Sequence, residues 1–227
     1  VVEKLEVKQK IFSGIEDQLK PGAILATNTS SIELERIAEA LKDPARLIGL
    51  HFFNPVAQLP LVEVIRSTFN TDEEIGKGAS FAQAIGKSPV VVKSAPGFLV
   101  NRVLMPYMLG AVERVEKGES KELLDAAAVA FGSKFAKLIA EGKLGRKTGE
   151  GFYKWEKGKA QKGETPSHPD LAGLGKELVR PLVDMTEVVV AEGVVASPEL
   201  ADIGVIMGTG FAPFLGGPMK ARADGRA

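Results

Sequence analysis

The 227-residue sequence contains no cysteine. That removes thiol nucleophiles, disulfides and thiolate-bound metals in one step. Histidine is almost as scarce. Only His51 and His168 occur, too few for an imidazole metal cage. Neither sign of charge prevails: 29 Lys+Arg stand against 29 Asp+Glu, a formal net charge of +0. Broad affinity for nucleic acid or an anionic membrane surface needs a basic excess, and there is none. No apolar run approaches the ~18–20 residues that span a bilayer. The opening Val1-Val2-Glu3-Lys4-Leu5 resembles neither a signal nor a transit peptide and lacks an initiator Met, so the expectation is a sequence that begins inside a longer protein. What is present has an ordinary globular balance, 44% hydrophobic and 26% charged. The length allows one or two domains and a core that needs no metal or disulfide.

The first 94 residues alternate helix and strand patterns. Residues 3–20 predict an amphipathic helix with Leu5, Ile11, Phe12, Ile15 and Leu19 on one face, stopped by Pro21-Gly22. Ala23–Thr27 reads as a short apolar strand, followed by the polar turn Asn28-Thr29-Ser30-Ser31. Ser30 and Glu33 have capping-box spacing for a second helix striped by Leu34, Ile37, Ala38 and Leu41. Arg46–Phe53 and Leu61–Ile65 read as buried strands, and Thr71 with Glu74 caps a helix to about Ile85. Pro89–Val92 is a further strand. Continuous apolar strands separated by helices predict an α/β sheet covered on both faces. The connection between 46–53 and 61–65 is too short for a parallel crossover. The expectation is an antiparallel pair at the end of the sheet.

After Ala95-Pro96-Gly97 the pattern becomes helical, over 98–117, 121–131, 171–192 and 198–207, with no strand expected beyond a brief Gly151-Phe152-Tyr153 stretch. The predicted organisation is an α/β domain over 1–95, a helical unit over 96–155, a Lys/Gly-rich linker over 156–170 and a second helical unit over 171–227. The two helical units form an approximate repeat. Arg102 matches Arg180, Leu104 matches Leu182, Gly118 matches Gly193 and Asp125 matches Asp202. Duplicated units that pack on each other would produce it, as would two unrelated amphipathic helix pairs.

Two polar residues interrupt the apolar strands. His51 lies in LIGLHFFNP and Glu63 in LVEVI. A buried carboxylate is costly without a partner. If the strands pair about residue 57, His51 and Glu63 fall opposite each other, six residues from that centre. A carboxylate that orients an imidazole makes a general acid/base, and with only hydroxyls nearby as nucleophiles the natural chemistry is proton transfer coupled to another event. A hydrogen-bonded core histidine is the plainer reading of His51 alone. Ser30 is either part of a helix cap or a hydroxyl aimed at a ligand beyond a strand end. Asn101 is either a helix-surface amide or a group reaching into a cleft. Gly145–Gly151, GRKTGEG, is a basic glycine-rich loop without Walker A spacing, or a plain surface turn.

NTSS (28–31), GLHFFNP (49–55), LVEVI (61–65), PGFLVNR (96–102) and GRKTGEGFY (145–153) together resemble the 3-hydroxyacyl-CoA dehydrogenase family. GTGFAPFLGGP (208–218) is similar to the second helical repeat of the dehydrogenase part of multifunctional fatty-acid oxidation proteins. The resemblance implies a Rossmann-like α/β domain followed by an all-α domain of duplicated helical units. It implies NAD as cofactor, an acyl-CoA substrate, and oxidation of 3-hydroxyacyl-CoA to 3-ketoacyl-CoA in β-oxidation. His51 falls on the catalytic base and Glu63 on its partner. Ser30 and Asn101 fall on active-site polar residues, and Glu3, Lys8, Ser30, Asn54 and Lys147 on cofactor contacts. It further implies no metal, a homodimer or a place in a larger multifunctional polypeptide, and a cytoplasmic location.

Two features depart from the family pattern. The glycine-rich dinucleotide fingerprint, expected well before Glu3, is not among these residues. After Phe131-Gly132 a turn and helix are expected, yet Ser133-Lys134-Phe135 leads almost directly to Leu138–Glu141. A polypeptide confined to these residues is expected to bind NAD weakly. The competing functions are a non-catalytic CoA-ester or nucleotide-binding module and an assembly domain, each derived from the same family.

Overall fold

The computed structural model describes residues 2–30, 32–131, 154–156 and 159–227. The chain divides into two compact units, Val1–Arg102 with Val188–Gly208, and Val103–Glu187 with Thr209–Ala227.

The first unit is built on a four-stranded sheet in the order β1-β2-β3-β4, with β1 Leu25–Thr27, β2 Leu47–Phe52, β3 Leu61–Arg66 and β4 Ser88–Lys93. β1 and β2 are parallel, β2 and β3 antiparallel, and β3 and β4 parallel. The antiparallel pair is therefore central in the described sheet and not at its end. Pairing of β4 alongside β3 returns through helix α3 (Asp72–Ala84), a long-range choice that a local apolar run does not reveal. β2 and β3 are buried along nearly their whole length. Residue parity sorts their side chains between the two faces. Ile48, Leu50, Val62 and Val64 pack on Ile75 and Ala82 of α3. Leu25 and Leu47 pack on Ile37 and Ala38 of α2 (Leu34–Ala38), with Leu5 and Phe12 of α1 (Leu5–Ile15) and Leu19 behind them.

Two details of the first helices differ from the pattern reading. Ile11 and Ile15 are each 38% exposed. Ile11 lines an open groove beside Lys8, so the buried face of α1 is narrower than its apolar residues suggest. The capping box of Ser30 and Glu33 does not form. Glu33 is the N-cap residue without a side-chain cap, and the first helical amide, of Leu34, donates to the hydroxyl of Ser94 at 2.9 Å. Sequence spacing cannot reveal a cap supplied from sixty residues away. The capping box of Thr71 and Glu74 does form at the start of α3.

α4 (Val100–Glu116) starts in the first unit and continues into the second, where α5 (Lys121–Ala130) follows. The strands β5 (Lys154–Glu156) and β6 (Lys159–Gln161) pair antiparallel across the start of the stretch expected to be a linker from residue 156, where no strand was expected. α6 (Leu171–Ala191), α7 (Pro198–Thr209) and α8 (Pro218–Ala223) complete the chain. In the second unit α6 lies close on α5: a Cβ at Gly175 would fall 2.4 Å from the carbonyl oxygen of Ala127. Phe131 and Phe211 meet edge-to-face at 5.7 Å. In the first unit the segment after α6 joins the edge of β4, through the Lys93 amide to the Val194 carbonyl (2.7 Å) and a Val92–Val195 bridge.

Candidate active site

His51 in β2 and Glu63 in β3 are register partners across the antiparallel pair. Both side chains fall on the sheet face away from α3, because 51 and 63 have the parity opposite to Leu50 and Val64. Nδ1 of His51 lies 2.7 Å from Oε2 of Glu63. Glu63 is 0% exposed, so its charge must be met from within the protein. Its second oxygen, Oε1, accepts from the backbone amides of Leu99 (3.1 Å) and Val100 (2.9 Å). Leu99 immediately precedes α4 and Val100 is its first residue, so both amides point out of the helix N-terminus, where the dipole adds to their attraction for the anion. Oε1 thus receives two donors and Oε2 faces Nδ1, and a carboxylate accepts only. In the neutral imidazole the tautomer that fits is the one protonated at Nδ1, with the lone pair on Nε2. Phe53 and Phe98 close on the imidazole edge-to-face, at 4.6 and 5.7 Å between centroids.

The first turn of α4 is itself anchored. Arg102 makes a two-pronged ion pair with Glu192 at 2.7 and 2.9 Å. Asn101 lies between Arg102 and Val100 and is partly buried.

A second polar cluster sits at the C-terminal tip of β1. Lys8, only 4% exposed, pairs with Glu3 Oε2 at 2.9 Å and reaches Thr27 Oγ1 at 3.4 Å. Oε1 of Glu3 accepts from the Thr29 hydroxyl and from the Ser30 amide. Partial burial pushes the Glu3 carboxyl upward, but the hydrogen bonds from Thr29 and Lys8 outweigh it and hold the group below the ordinary carboxylate range. A groove of about 270 Å³ opens beside this cluster, lined by Lys8, Ile11, Phe12, Ala26, Thr27 and Asn28. Asn28 ties the tips of the two parallel strands together, its Oδ1 accepting from the Phe52 amide at 3.3 Å.

The structure therefore brings together His51 with Glu63, and Glu3 with Lys8 and Ser30. Asn54 is exposed, three residues past His51. Lys147 and the loop 145–151 lie outside the described residues. Sequence reasoning missed four contributors. Thr29 is buried beneath Glu3, although its place in a polar turn after a strand was a usable signal. The amides of Leu99 and Val100 carry no residue-type signature at all. Phe98 reads in the sequence only as the first residue of a helix over 98–117.

An α/β sheet covered by helices on both faces, with polar groups gathered at the C-terminal tips of its parallel strands β1 and β2, defines a Rossmann-like ligand-binding unit. Comparison with known proteins narrows the class. The family model for the NAD-binding domain of 3-hydroxyacyl-CoA dehydrogenase matches residues 1–95. The fatty acid oxidation complex subunit alpha of Vibrio campbellii is 36% identical over 266 residues, covering 96% of this chain and 37% of that protein. The chain thus spans little more than a third of the length of that relative. The match is also longer than the 227 residues here, so the relative holds additional residues within the matched stretch. The crystal structure of 3-hydroxybutyryl-CoA dehydrogenase from Escherichia coli shares the fold, with a TM-score of 0.78 over 99% of this chain and 73% of that one, at 22% identity. The crystal structure of (S)-3-hydroxybutyryl-CoA dehydrogenase from Ralstonia eutropha is 31% identical, with a TM-score of 0.59, covering 69% of each chain. The chain belongs to the 3-hydroxyacyl-CoA dehydrogenase family.

Proposed function

We propose that this chain oxidises the 3-hydroxyl of a 3-hydroxyacyl-CoA to the 3-ketone with NAD, as a step of fatty-acid β-oxidation. The observation that carries the reading is the buried His51–Glu63 pair, with Nδ1 and Oε2 at 2.7 Å. With Nδ1 committed to Glu63, Nε2 of His51 takes the proton of the substrate hydroxyl. Glu63 holds the ring in that tautomer and balances the imidazolium as it forms. NAD, when bound, supplies the acceptor for the hydride that leaves C3. Asn101 and Ser30 bond the reacting oxygen and keep the hydroxyl proton directed at His51.

The residues at the tip of β1 fit part of a dinucleotide. Lys8 offers a cation in a groove of about 270 Å³, and Glu3 offers an acceptor to ribose or amide groups. Glu3, Lys8, Ser30 and Asn54 would hold the cofactor's edge nearest His51, with Lys147 as a further contact. The relatives named as a fatty acid oxidation complex subunit support assembly within a larger multifunctional polypeptide, and a homodimer is the other arrangement the family offers. Among the described residues no helix is long and apolar enough to cross a membrane.

The test is His51→Gln, followed by the near-ultraviolet absorbance of NADH with 3-hydroxyacyl-CoA thioesters as substrates. Loss of a general base predicts a fall in kcat of ~10²–10⁴-fold with NAD affinity preserved. Undiminished kcat in the variant removes the base assignment. A wild-type protein that turns over no 3-hydroxyacyl thioester removes the function and leaves the non-catalytic binding module.

A further inference from the structure

Phe98 is the one non-glycine residue with positive φ among the described residues, at 50°. Holding an L-residue there is strained, because its Cβ crowds the following carbonyl oxygen, a strain that glycine would avoid. The neighbouring turn position, Gly97, is a glycine at φ 76°. Position 98 instead carries a large aromatic side chain that is 1% exposed.

What that side chain touches explains its place. The Phe98 ring meets the imidazole of His51 edge-to-face, at 5.7 Å and 61°. The Phe98 amide donates back to the Ala95 carbonyl at 2.9 Å and closes the turn. The next two amides, of Leu99 and Val100, both donate to Glu63. One short segment therefore grips both members of the pair, with a ring on His51 and amides on Glu63. The gripping matters because a hydrogen bond at Nδ1 fixes one atom of the imidazole, not its plane. The ring can still swing about that contact, and a swing moves Nε2 away from the substrate oxygen. A wall of aromatic edge restricts the swing.

We propose that Phe98 is a positioning residue for His51: its ring, set by a left-handed backbone, fixes the imidazole plane and so the direction of Nε2. The proposal rests on the reading of His51 as the base. The experiment is Phe98→Leu, which keeps an apolar side chain and removes the ring, alongside Phe98→Tyr, which keeps the ring. Misdirection of a catalytic group by a fraction of an ångström lowers kcat about ten- to a hundredfold in Phe98→Leu, with KM for both substrates within about twofold. Phe98→Tyr retains most of kcat. In NMR spectra the His51 ring protons, assigned by their loss in His51→Gln, broaden in Phe98→Leu; a shift without broadening reflects only the lost ring current. Wild-type kcat in Phe98→Leu overturns the proposal. So does a lowered melting temperature with His51 resonances unchanged in width, which marks Phe98 as core packing only. The NMR arm does not need turnover. It decides the positioning of His51 even if the wild-type protein proves inactive on 3-hydroxyacyl thioesters, the result that would sink the functional reading separately.

Discussion

Replacing Glu63 by Gln tests the site more sharply than removing it, because the backbone dictates how the amide must sit. Gln offers one oxygen and one NH2 where Glu offered two acceptors. The Leu99 and Val100 amides, at 3.1 and 2.9 Å from Oε1, both require an acceptor. If the Gln oxygen faces them, its NH2 faces Nδ1 of His51. The imidazole must then present a lone pair at Nδ1 and carry its proton on Nε2, the wrong tautomer for a base. If the Gln turns over, two backbone donors lose their acceptor in a fully buried place, at ~1–3 kcal/mol each. The first arrangement wins by several kcal/mol, so the variant folds but is disarmed. A comparable carboxylate-to-amide exchange in a Ser-His-Asp triad lowers kcat by about 10⁴ through the same tautomer error. The expectation here is a fall in kcat of about 10³–10⁴, with little change in NAD binding and a melting temperature within a few degrees of wild type. The assay is steady-state turnover, coupled to ¹⁵N NMR of the imidazole, which reports which ring nitrogen carries the proton. Turnover within tenfold of wild type, with Nδ1 still protonated, would refute the argument that the α4 amides fix the orientation of residue 63.

Two further outcomes follow from the backbone and from burial. Gly97→Ala places a Cβ 3.2 Å from the Arg102 amide at φ 76°, where the obstructing atom is backbone and cannot yield, so a loss of about 2 kcal/mol or more is expected in denaturant melts. Burial first, and the Asp125 carboxylate second, push the Tyr107 phenol up to about 12. The unfolded chain releases that proton near 10, so this contribution to stability is intact below pH 10 and lost between about pH 10 and 12, by about 3 kcal/mol in all. Tyr107→Phe should flatten that part of the stability curve, and an unchanged alkaline slope would show that the phenol is not the group responsible.

The pairing of His51 with Glu63 was legible because two rules met there. Strand parity fixes which residues share a face, and a short connection fixes the antiparallel midpoint. Two costly polar residues equidistant from that midpoint are then forced together. What surrounds the pair was not legible. The amides that complete Glu63 belong to Leu99 and Val100, and any residue but proline supplies an amide. The cap on α2 comes from Ser94, and the central place of β2 and β3 comes from β4. Each depends on chain that is distant in sequence, where local pattern has no reach. Ile11 and Ile15 show the opposite failure. Their apolar type fitted the helix period, but both are 38% exposed, and Ile11 lines a groove beside α1.

The largest difference from the sequence pattern concerns which residues gather around the His51–Glu63 pair. A composition change at Ala95-Pro96-Gly97 marks the end of the α/β pattern, and the repeat between 101–132 and 179–208 points to a helical domain paired with itself. Compactness divides the chain differently, placing residues 188–208 with the sheet. The glycines of α7 supply the reason. A Cβ on Gly204 would lie 2.5 Å from Leu99 Cδ2, and one on Gly208 would lie 2.5 Å from Val100 Cγ2 and 2.8 Å from Leu61 Cδ2. They are four residues apart, so they share one face of the helix. That face seats Leu99 and Val100, the residues whose amides hold Glu63, and reaches the start of β3. Glu192 pins Arg102 on the same turn. α7 thus acts as a backing plate for the first turn of α4, and its small residues set how closely that turn approaches the carboxylate. A helix a hundred residues downstream belongs to the site because the anion it helps to hold is buried, and a buried anion tolerates no slack in its donors.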